Sequence, residues 1–194
     1  MSADQAGAVP QTVLLFSGHM IDAPGREQPR FPADKEAIAA AAIAKAVADS
    51  GAGPGDVAIC SGACGGDLLF AESCRARGLR LELYIPFDEA TFLSNSVDFA
   101  GPQWRDRFFA AKSAATLHVM PDELGPLPAG ADPYERVNLW MLKSAARFGD
   151  DKVYFICLWD GRGGDGPGGT QHLMQEVQRG SGRTLWLNTR TLWS

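Results

Sequence analysis

The sequence predicts an α/β fold class: a three-layer, Rossmann-like, mostly parallel sheet of about six strands with helices on both faces. Short apolar segments alternate with helical patterns along the chain, as in a parallel sheet whose strands are joined by crossover helices. Residues 57–60 and 152–159 are largely apolar runs, which is typical of strands buried on both faces. We find no linker, internal repeat or low-complexity tract. Residues 12–194 are therefore expected to form a single domain that follows a disordered lead-in, residues 1–11.

The first half of the chain predicts three strands and two helices. Residues 12–16 are mostly apolar and predict the first strand. The alanine-rich segment 33–50 predicts a helix that ends at a stretch rich in glycine. After the strand at 57–60, a helical pattern runs over 67–77, and residues 80–86 alternate apolar and polar side chains as a strand does.

The second half predicts three more strands and three more helices. Two connections, 87–101 and 121–132, show neither period, and we expect them to be irregular loops that fold over the sheet edge as lids. The predicted elements of this half, in order, are helix 104–114, strand 116–120, helix 133–148, strand 152–159, helix 170–179 and strand 184–187.

Composition excludes several classes of protein. A net charge of −5 argues against a nucleic-acid polymer as partner, because such a surface needs clustered Lys and Arg. No apolar run approaches the roughly 20 residues of a membrane span, and the first ten residues lack the basic and apolar regions of a secretory signal. We therefore expect a cytoplasmic protein that binds no membrane.

The cysteines predict no metal site. Cys60, Cys64, Cys74 and Cys157 lack the paired CxxC spacing of a zinc site, so buried free thiols in a reducing compartment are the favoured interpretation. A metal held by the first three with a histidine is the alternative. We expect no metal and no cofactor.

The turn after residues 57–60 is the first candidate ligand site. Small residues at a strand-to-helix turn let a phosphate or ribose approach the backbone, and the following helix points free N–H groups at it. Asp67 or Glu72 would accept hydrogen bonds from ribose hydroxyls. In the alternative interpretation Asp67 is only a helix cap and Glu72 faces solvent. The small residues expected to contact the ligand are Ser61, Gly62, Gly65 and Gly66.

The glycine-rich segment 160–170 is the second candidate site. It follows a predicted central strand and ends in Gly168-Gly169-Thr170 at a helix start, where Thr170 can cap and free N–H groups can bind phosphate. An ordinary surface loop is the alternative. Neither glycine turn has the Walker A or GxGxxG pattern.

Two further groups lie near the predicted strand ends. Ser17, Gly18 and His19 follow the first strand, and His19 is the histidine most suited to face a ligand. Arg136 could clamp a phosphate and Asn138 could bind a base or ribose, although an ordinary amphipathic helix with Arg136 in solvent explains the same residues.

At these residues the chain resembles the SLOG superfamily of Rossmann-like nucleotide-binding domains, which includes the LOG phosphoribohydrolases and the DNA-processing protein A domain. The turn Ser61–Asp67 with Glu72 is similar to the family's S/G-G-A-x-G-x-D…A-E turn, and Gly168-Gly169-Thr170 to its phosphate loop. Arg136 with Asn138 is similar to an R-N pair in some members. The resemblance implies a bacterial nucleotide-binding domain, in several branches a sensor in signalling or defence.

The sequence departs from the LOG enzymes in two respects. The predicted strand 116–120 and the proline-rich loop after it look like an insertion, and the phosphate loop lacks an acid. The phosphate loop of the LOG enzymes has an acidic residue three positions after the threonine, where this chain has Leu173. A sensor-type module for a nucleotide or nucleotide sugar is therefore the leading hypothesis, with a homo-oligomer or an effector protein as a possible partner. A nucleotide N-glycoside hydrolase or transferase of the phosphoribohydrolase or deoxyribosyltransferase type, and an interaction domain with a degenerate pocket, are the alternatives. The candidate catalytic acids for an enzyme are Glu72, Glu135, Asp160 and Glu176.

Overall fold

A computed structural model of the chain describes residues 9–163 and 168–193. Six parallel strands form one sheet in the order β4-β3-β2-β1-β5-β6. The strands are β1 (Val13–Gly18), β2 (Val57–Cys60), β3 (Arg80–Ile85), β4 (Ala115–Val119), β5 (Val153–Trp159) and β6 (Arg183–Asn188).

Eight helices connect and flank these strands. Three short 3₁₀ turns lie at Ala33–Lys35, Asp98–Ala100 and Asp150–Lys152. The α-helices are α1 (Glu36–Asp49), α2 (Gly66–Ala76), α3 (Glu89–Ser96), α4 (Pro102–Lys112), α5 (Met120–Leu124), α6 (Pro133–Ala146), α7 (Thr170–Arg179) and α8 (Thr189–Leu192). None of the helices in the described residues is long and apolar enough to cross a membrane.

The core is divided by the sheet into two layers of side chains. Alternate residues of β1 point to opposite faces, so Leu14 and Phe16 pack with α1, α2 and α4, while Val13 and Leu15 pack with α6 and α7. Both faces of the central strands are fully buried. The Rossmann-like fold class predicted from the sequence is confirmed, and every strand pair is parallel.

The two connections predicted to be irregular are partly helical. The segment 87–101 contains α3, whose N-cap Asp88 accepts the Thr91 N–H at 3.0 Å, and 121–132 overlaps α5. The prediction of irregular loops was therefore wrong. The segment 116–120, which looked like an insertion to the LOG pattern, is the edge strand β4 and pairs along its length with β3.

The strand order places a switch point at the centre of the sheet. From β1 the chain moves outward through β2 and β3 to β4, and then crosses back to β5 on the other side of β1. Ligands of open parallel sheets bind outside the carboxyl ends of the strands at such a point. The site was therefore sought at the ends of β1, β2 and β5.

Candidate functional site

A cleft of about 130 Å³ opens at the carboxyl ends of β1 and β2. The sheet and the β2–α2 turn form one wall, and α3 and α6 supply the rest. The described residues that line the cleft are Phe16, Ser17, Gly18, Met20, Ser61, Ala63, Asp67, Phe92, Tyr134, Asn138 and Met141.

Asp67 is the one ionisable acid among these lining residues. Its side chain is 6 % exposed, and Oδ2 accepts the Ala63 N–H at 3.3 Å. Oδ1 is buried and has no hydrogen-bond partner among the described residues. Burial raises the pKa of Asp67 to about 7, against the opposing effect of the backbone N–H groups of Ala63, Ser61 and Gly62. A buried carboxyl oxygen without a partner is costly, so its place in a cleft requires an explanation.

The local sequence explains how Asp67 is held there. Gly65 is the N-cap of α2 with φ +94°, a conformation that favours glycine. A Cβ on Gly65 would lie 2.7 Å from the backbone N of Ile21, because the turn packs directly against the chain leaving β1. Asp67 is thus the second residue of α2 rather than its N-cap, and its carboxyl turns back toward the loop.

Two amides expected to hold phosphate are already used inside the protein. Gly66 N–H donates to the His19 carbonyl at 3.1 Å, and Gly168 N–H donates to Nδ1 of His172 at 2.8 Å. Gly169, rather than Thr170, is the N-cap of α7, and no side chain caps that helix. The expectation of a Thr170 cap is therefore corrected, whereas phosphate binding at Gly66 and Gly168 stays a prediction, with both N–H groups paired inside the protein. The rest of the glycine loop, residues 164–167, lies outside the described residues.

Asn138 and Arg136 lie on different sides of α6. Asn138 lines the cleft and donates from Nδ2 to the Gly168 carbonyl at 3.0 Å, which ties the second glycine turn to the cleft wall. Arg136 instead donates to the carbonyls of Leu124, Gly125 and Pro126 at 2.8–3.3 Å and closes the end of α5. The role of Arg136 as a phosphate clamp stays a prediction, although its guanidinium is held by these carbonyls and does not line the cleft.

None of the four candidate catalytic acids is among the described residues that line the cleft. Glu72 forms a bidentate ion pair with Arg107, both contacts being 2.6 Å. Glu176 pairs with His172 and Arg179 and lines a hollow at the amino end of β5. Glu135 is not among the lining residues either, and its backbone packs against Gly168. The sequence did not single out Asp67 as a catalytic acid.

Asp160, the fourth candidate, lies on the other side of β1 and is paired. Nε2 of His19 is 3.0 Å from the Asp160 backbone N and 3.2 Å from Oδ1, and Oδ1 also accepts the Arg162 N–H at 3.1 Å. Burial would raise the pKa of Asp160, but the Arg162 N–H and His19 lower it overall. Burial and the nearby Arg30 lower the pKa of His19, and Asp160 opposes this effect.

No protein-family model matches the chain, and no curated protein matches it. The family resemblance of the two glycine turns therefore stays an expectation. The function is therefore inferred from the geometry of the cleft.

His118 and the cysteines have structural roles. His118 stacks on Tyr84 with ring centroids 4.3 Å apart and contacts Glu123, far along the sheet at β4. The four cysteines are buried and free, as predicted, and the described residues hold no group of three or more side chains suited to a metal ion. Two larger hollows, of about 360 and 410 Å³, lie at the amino end of β5 and on the outer side of α6, away from the carboxyl ends of the strands.

Sequence analysis missed three cleft residues that come from helices. Phe92 belongs to α3, which was not predicted, and Tyr134 and Met141 belong to α6. Tyr134 Oη is 3.3 Å from Ser96 Oγ, so the side of the cleft is joined by a hydroxyl pair between α6 and α3. The Asp88 cap and the following Thr91 could have indicated α3. The packing of α3 over the cleft has no local signal.

Proposed function

We propose that the protein is a sensor-type module that binds a nucleotide or nucleotide-derived ligand, whose ribose or base lies in the cleft against Asp67. The observation that carries the proposal is the unpartnered Oδ1 of Asp67, buried at the carboxyl edge of the sheet. A ligand hydroxyl or amino group would supply the missing donor. The carboxyl would then be satisfied on both oxygens, as buried carboxyl groups normally are.

The character of the cleft favours an uncharged, hydroxyl-bearing group over a phosphate. No Lys or Arg is present among the described residues that line it, and a carboxylate would repel an anion. Ser17, Ser61 and Tyr134 offer hydroxyls, and Asn138 offers an amide. Phe92 and Met141 supply apolar surface for a sugar ring or base edge. The mixture of a few polar groups with apolar walls is typical of small-molecule sites.

The proposal is tested by calorimetric titration of the full chain with ribonucleosides, their 2′-deoxy forms, mono- and dinucleotides and nucleotide sugars. We expect at least one ribose-bearing compound to bind, and Asp67→Asn to weaken it about 10- to 100-fold, the effect of losing a hydrogen bond to a charged group. Asp106→Asn, at an exposed position on α4, is the matched control and should leave affinity unchanged. Absence of binding across the panel, or equal binding by Asp67→Asn, would contradict the proposal and favour an interaction domain.

One observation favours a second candidate, cleavage of the N-glycosidic bond. An acid with a pKa of about 7 is suited to exchange a proton near neutral pH. Glycoside cleavage usually employs two carboxyl groups about 5–10 Å apart, whereas Asp67 is the one acid among the described lining residues. Binding without turnover is therefore the better-supported function. Free base released by the wild type and lost in Asp67→Asn, measured by chromatography, would instead establish the enzyme.

A further inference from the structure

A second hollow lies beside the cleft, on the other side of the His19 segment. It has a volume of about 240 Å³ and is lined by Arg26, Arg30, Asp160 and Arg162 with Gln28, Pro29 and Gly163. We infer that this arginine hollow binds a phosphoryl group, and that it receives the phosphate end of the ligand whose ribose or base occupies the cleft. Phosphoryl binding is inferred from the arginine geometry alone. The shared ligand rests in addition on the proposed function.

The positive charges of the hollow are incompletely neutralised. The guanidinium groups of Arg30 and Arg162 have no ion-pair or hydrogen-bond partner among residues 9–163 and 168–193. Arg26 has one carboxylate neighbour, with Nε 3.4 Å from Oδ1 of Asp22. An arginine guanidinium has five N–H donors in a planar arrangement. The guanidinium groups of Arg30 and Arg162, which have no partner among the described residues and lie near Arg26, are therefore suited to bind phosphate oxygens.

The two acids near these arginines are committed elsewhere. Oδ2 of Asp22 accepts the backbone N–H groups of both Arg30 and Phe31 at 2.9 Å, and Asp160 is shared by His19 and the Arg162 N–H. Burial and then the proximity of Arg26 lower the pKa of Arg30 overall, although Asp160 and Asp22 act in the opposite direction. Like charges held close together in this way are relieved by a bound anion.

The backbone beneath the arginines is anchored, so the hollow is preorganised. The Arg30 carbonyl accepts Nε1–H of Trp193 at 3.2 Å, and neighbouring Phe31 is fully buried with its ring 5.5 Å from that of Trp193. The Arg162 carbonyl accepts Nε1–H of Trp159 at 3.1 Å. The backbone of each of these two arginines is thus held by a hydrogen bond from a tryptophan. This reduces the conformational entropy that the arginines lose when a ligand binds.

The cleft and the arginine hollow are neighbours along the chain and at the carboxyl edge of the sheet. Gly18 and Met20 line the cleft, and His19 between them contacts Asp160, which lines the arginine hollow. The cleft has hydroxyl groups and no described cation, and the hollow has three arginines. This division matches a ligand with an uncharged nucleoside part and a charged phosphate part, such as a nucleoside diphosphate.

The phosphoryl site is tested separately from the nucleoside site by titrating pyrophosphate into the full chain. We expect saturable binding that Arg30→Gln weakens at least tenfold. Arg162→Gln should act in the same direction, and because Arg162 is exposed this variant is expected to fold normally. The matched control is Arg75→Gln, which removes the same charge from an exposed position on α2 and should change affinity less than twofold. No pyrophosphate binding, or equal binding by Arg30→Gln and Arg162→Gln, overturns the inference.

A second titration, with adenosine, guanosine, cytidine and uridine and their diphosphates, separates the two proposals. We expect a nucleoside diphosphate to bind at least tenfold more tightly than its nucleoside and to lose this advantage in Arg30→Gln. Nucleoside binding that depends on Asp67, with no gain from the diphosphate, overturns the inference and leaves the proposed function intact. Arginine-dependent pyrophosphate binding, with no nucleoside bound and no nucleoside diphosphate bound more tightly than pyrophosphate, keeps the phosphoryl site and overturns both the shared ligand and the proposed function.

Discussion

Asp67 and Asp160 are the same residue type, equally buried at 6 % exposure, and both follow carboxyl ends of strands at the centre of the sheet. They differ in their partners. Asp160 is held by His19 and the Arg162 N–H, and its pKa is lowered. Asp67 keeps one oxygen unpaired in the cleft, and burial raises its pKa to about 7.

The comparison suggests that two aspartates at the same edge of the sheet have different roles, Asp160 in stability and Asp67 in ligand binding. The Asp160 carboxylate stabilises the folded chain because its ionised form has donors. The Asp67 carboxyl has no donor for Oδ1 among the described residues, which is costly in a buried group, and under our proposal a ligand in the cleft offsets this cost. Four substitutions test this contrast and are given in decreasing order of the predicted change.

The largest effect is expected from Gly65→Ala, which alters the turn that positions Asp67. The new Cβ would lie 2.7 Å from the Ile21 nitrogen, and φ is +94°. We expect a loss of about 3–5 kcal/mol in the free energy of unfolding, measured by urea denaturation. Gly25→Ala is the matched control, since Gly25 has φ +80° and open space around it, and should cost about 1 kcal/mol. Equal costs for both would show that the turn can relax.

Asp67→Asn should stabilise the protein, and increasingly so as the pH rises. The folded state binds a proton that the unfolded state has released between the usual carboxyl pKa and about 7, so wild-type stability falls across that interval. At pH 8 the variant is expected to gain about 4 kcal/mol over the wild type, and at pH 4 less than about 1 kcal/mol. Denaturation curves at both pH values measure this. A pH-independent difference, or destabilisation at pH 8, would contradict the raised pKa.

Asp160→Asn should have the opposite sign. The lowered pKa means that the ionised carboxylate contributes stability above the usual carboxyl pKa and loses it as the pH falls through the lower folded value. At pH 7 we expect the variant to be less stable by about 1–3 kcal/mol, because the Arg162 N–H loses a charged acceptor. The difference from wild type should shrink in thermal melts at pH 3. Stabilisation at pH 7 would remove the contrast between the two aspartates.

The smallest effect is expected from Glu72→Gln. Glu72 is partly exposed and pairs with Arg107 on the surface of α2 and α4, so the cost should be below about 1 kcal/mol. Ligand affinity should stay within twofold of wild type in the same titration that tests Asp67→Asn. A large loss of binding in Glu72→Gln would return Glu72, the acid that the family pattern suggested, to the site.

The fold could be predicted from the sequence because its signals are local. The ends of β2 and α7 match the predicted 57–60 and 170–179, where glycines bound short periodic segments. Helix α5 was missed although Pro121 and two acids mark its first turn. Helix α3 was missed because eight residues of mixed polarity show little periodicity.

The candidate site could be predicted only in part, because it depends on direction and long-range packing. Asp67 was identified as a possible ribose acceptor, but its unpaired oxygen is visible only once α6 and α3 are placed. Arg136 and Asn138 are two positions apart, which is about 200° around a helix, so both could not face one cleft. The N–H groups of Gly66 and Gly168 were expected to be free. Their acceptors, the His19 carbonyl and Nδ1 of His172, are brought into position only when the turns are folded.

The most direct test is to titrate the Asp67 carboxyl carbon by ¹³C NMR, with and without the nucleoside or nucleotide that binds best. We predict that the Asp67 carboxyl titrates with a midpoint near pH 7 in the free protein. In the complex its pKa should fall clearly, because a ligand donor stabilises the ionised form. The Asp160 carboxyl serves as internal reference, and its pKa should lie below the usual carboxyl value in both states. A midpoint near 4 for free Asp67, or no shift when ligand saturates the protein, would contradict the claim that this carboxyl is kept unpaired for a ligand.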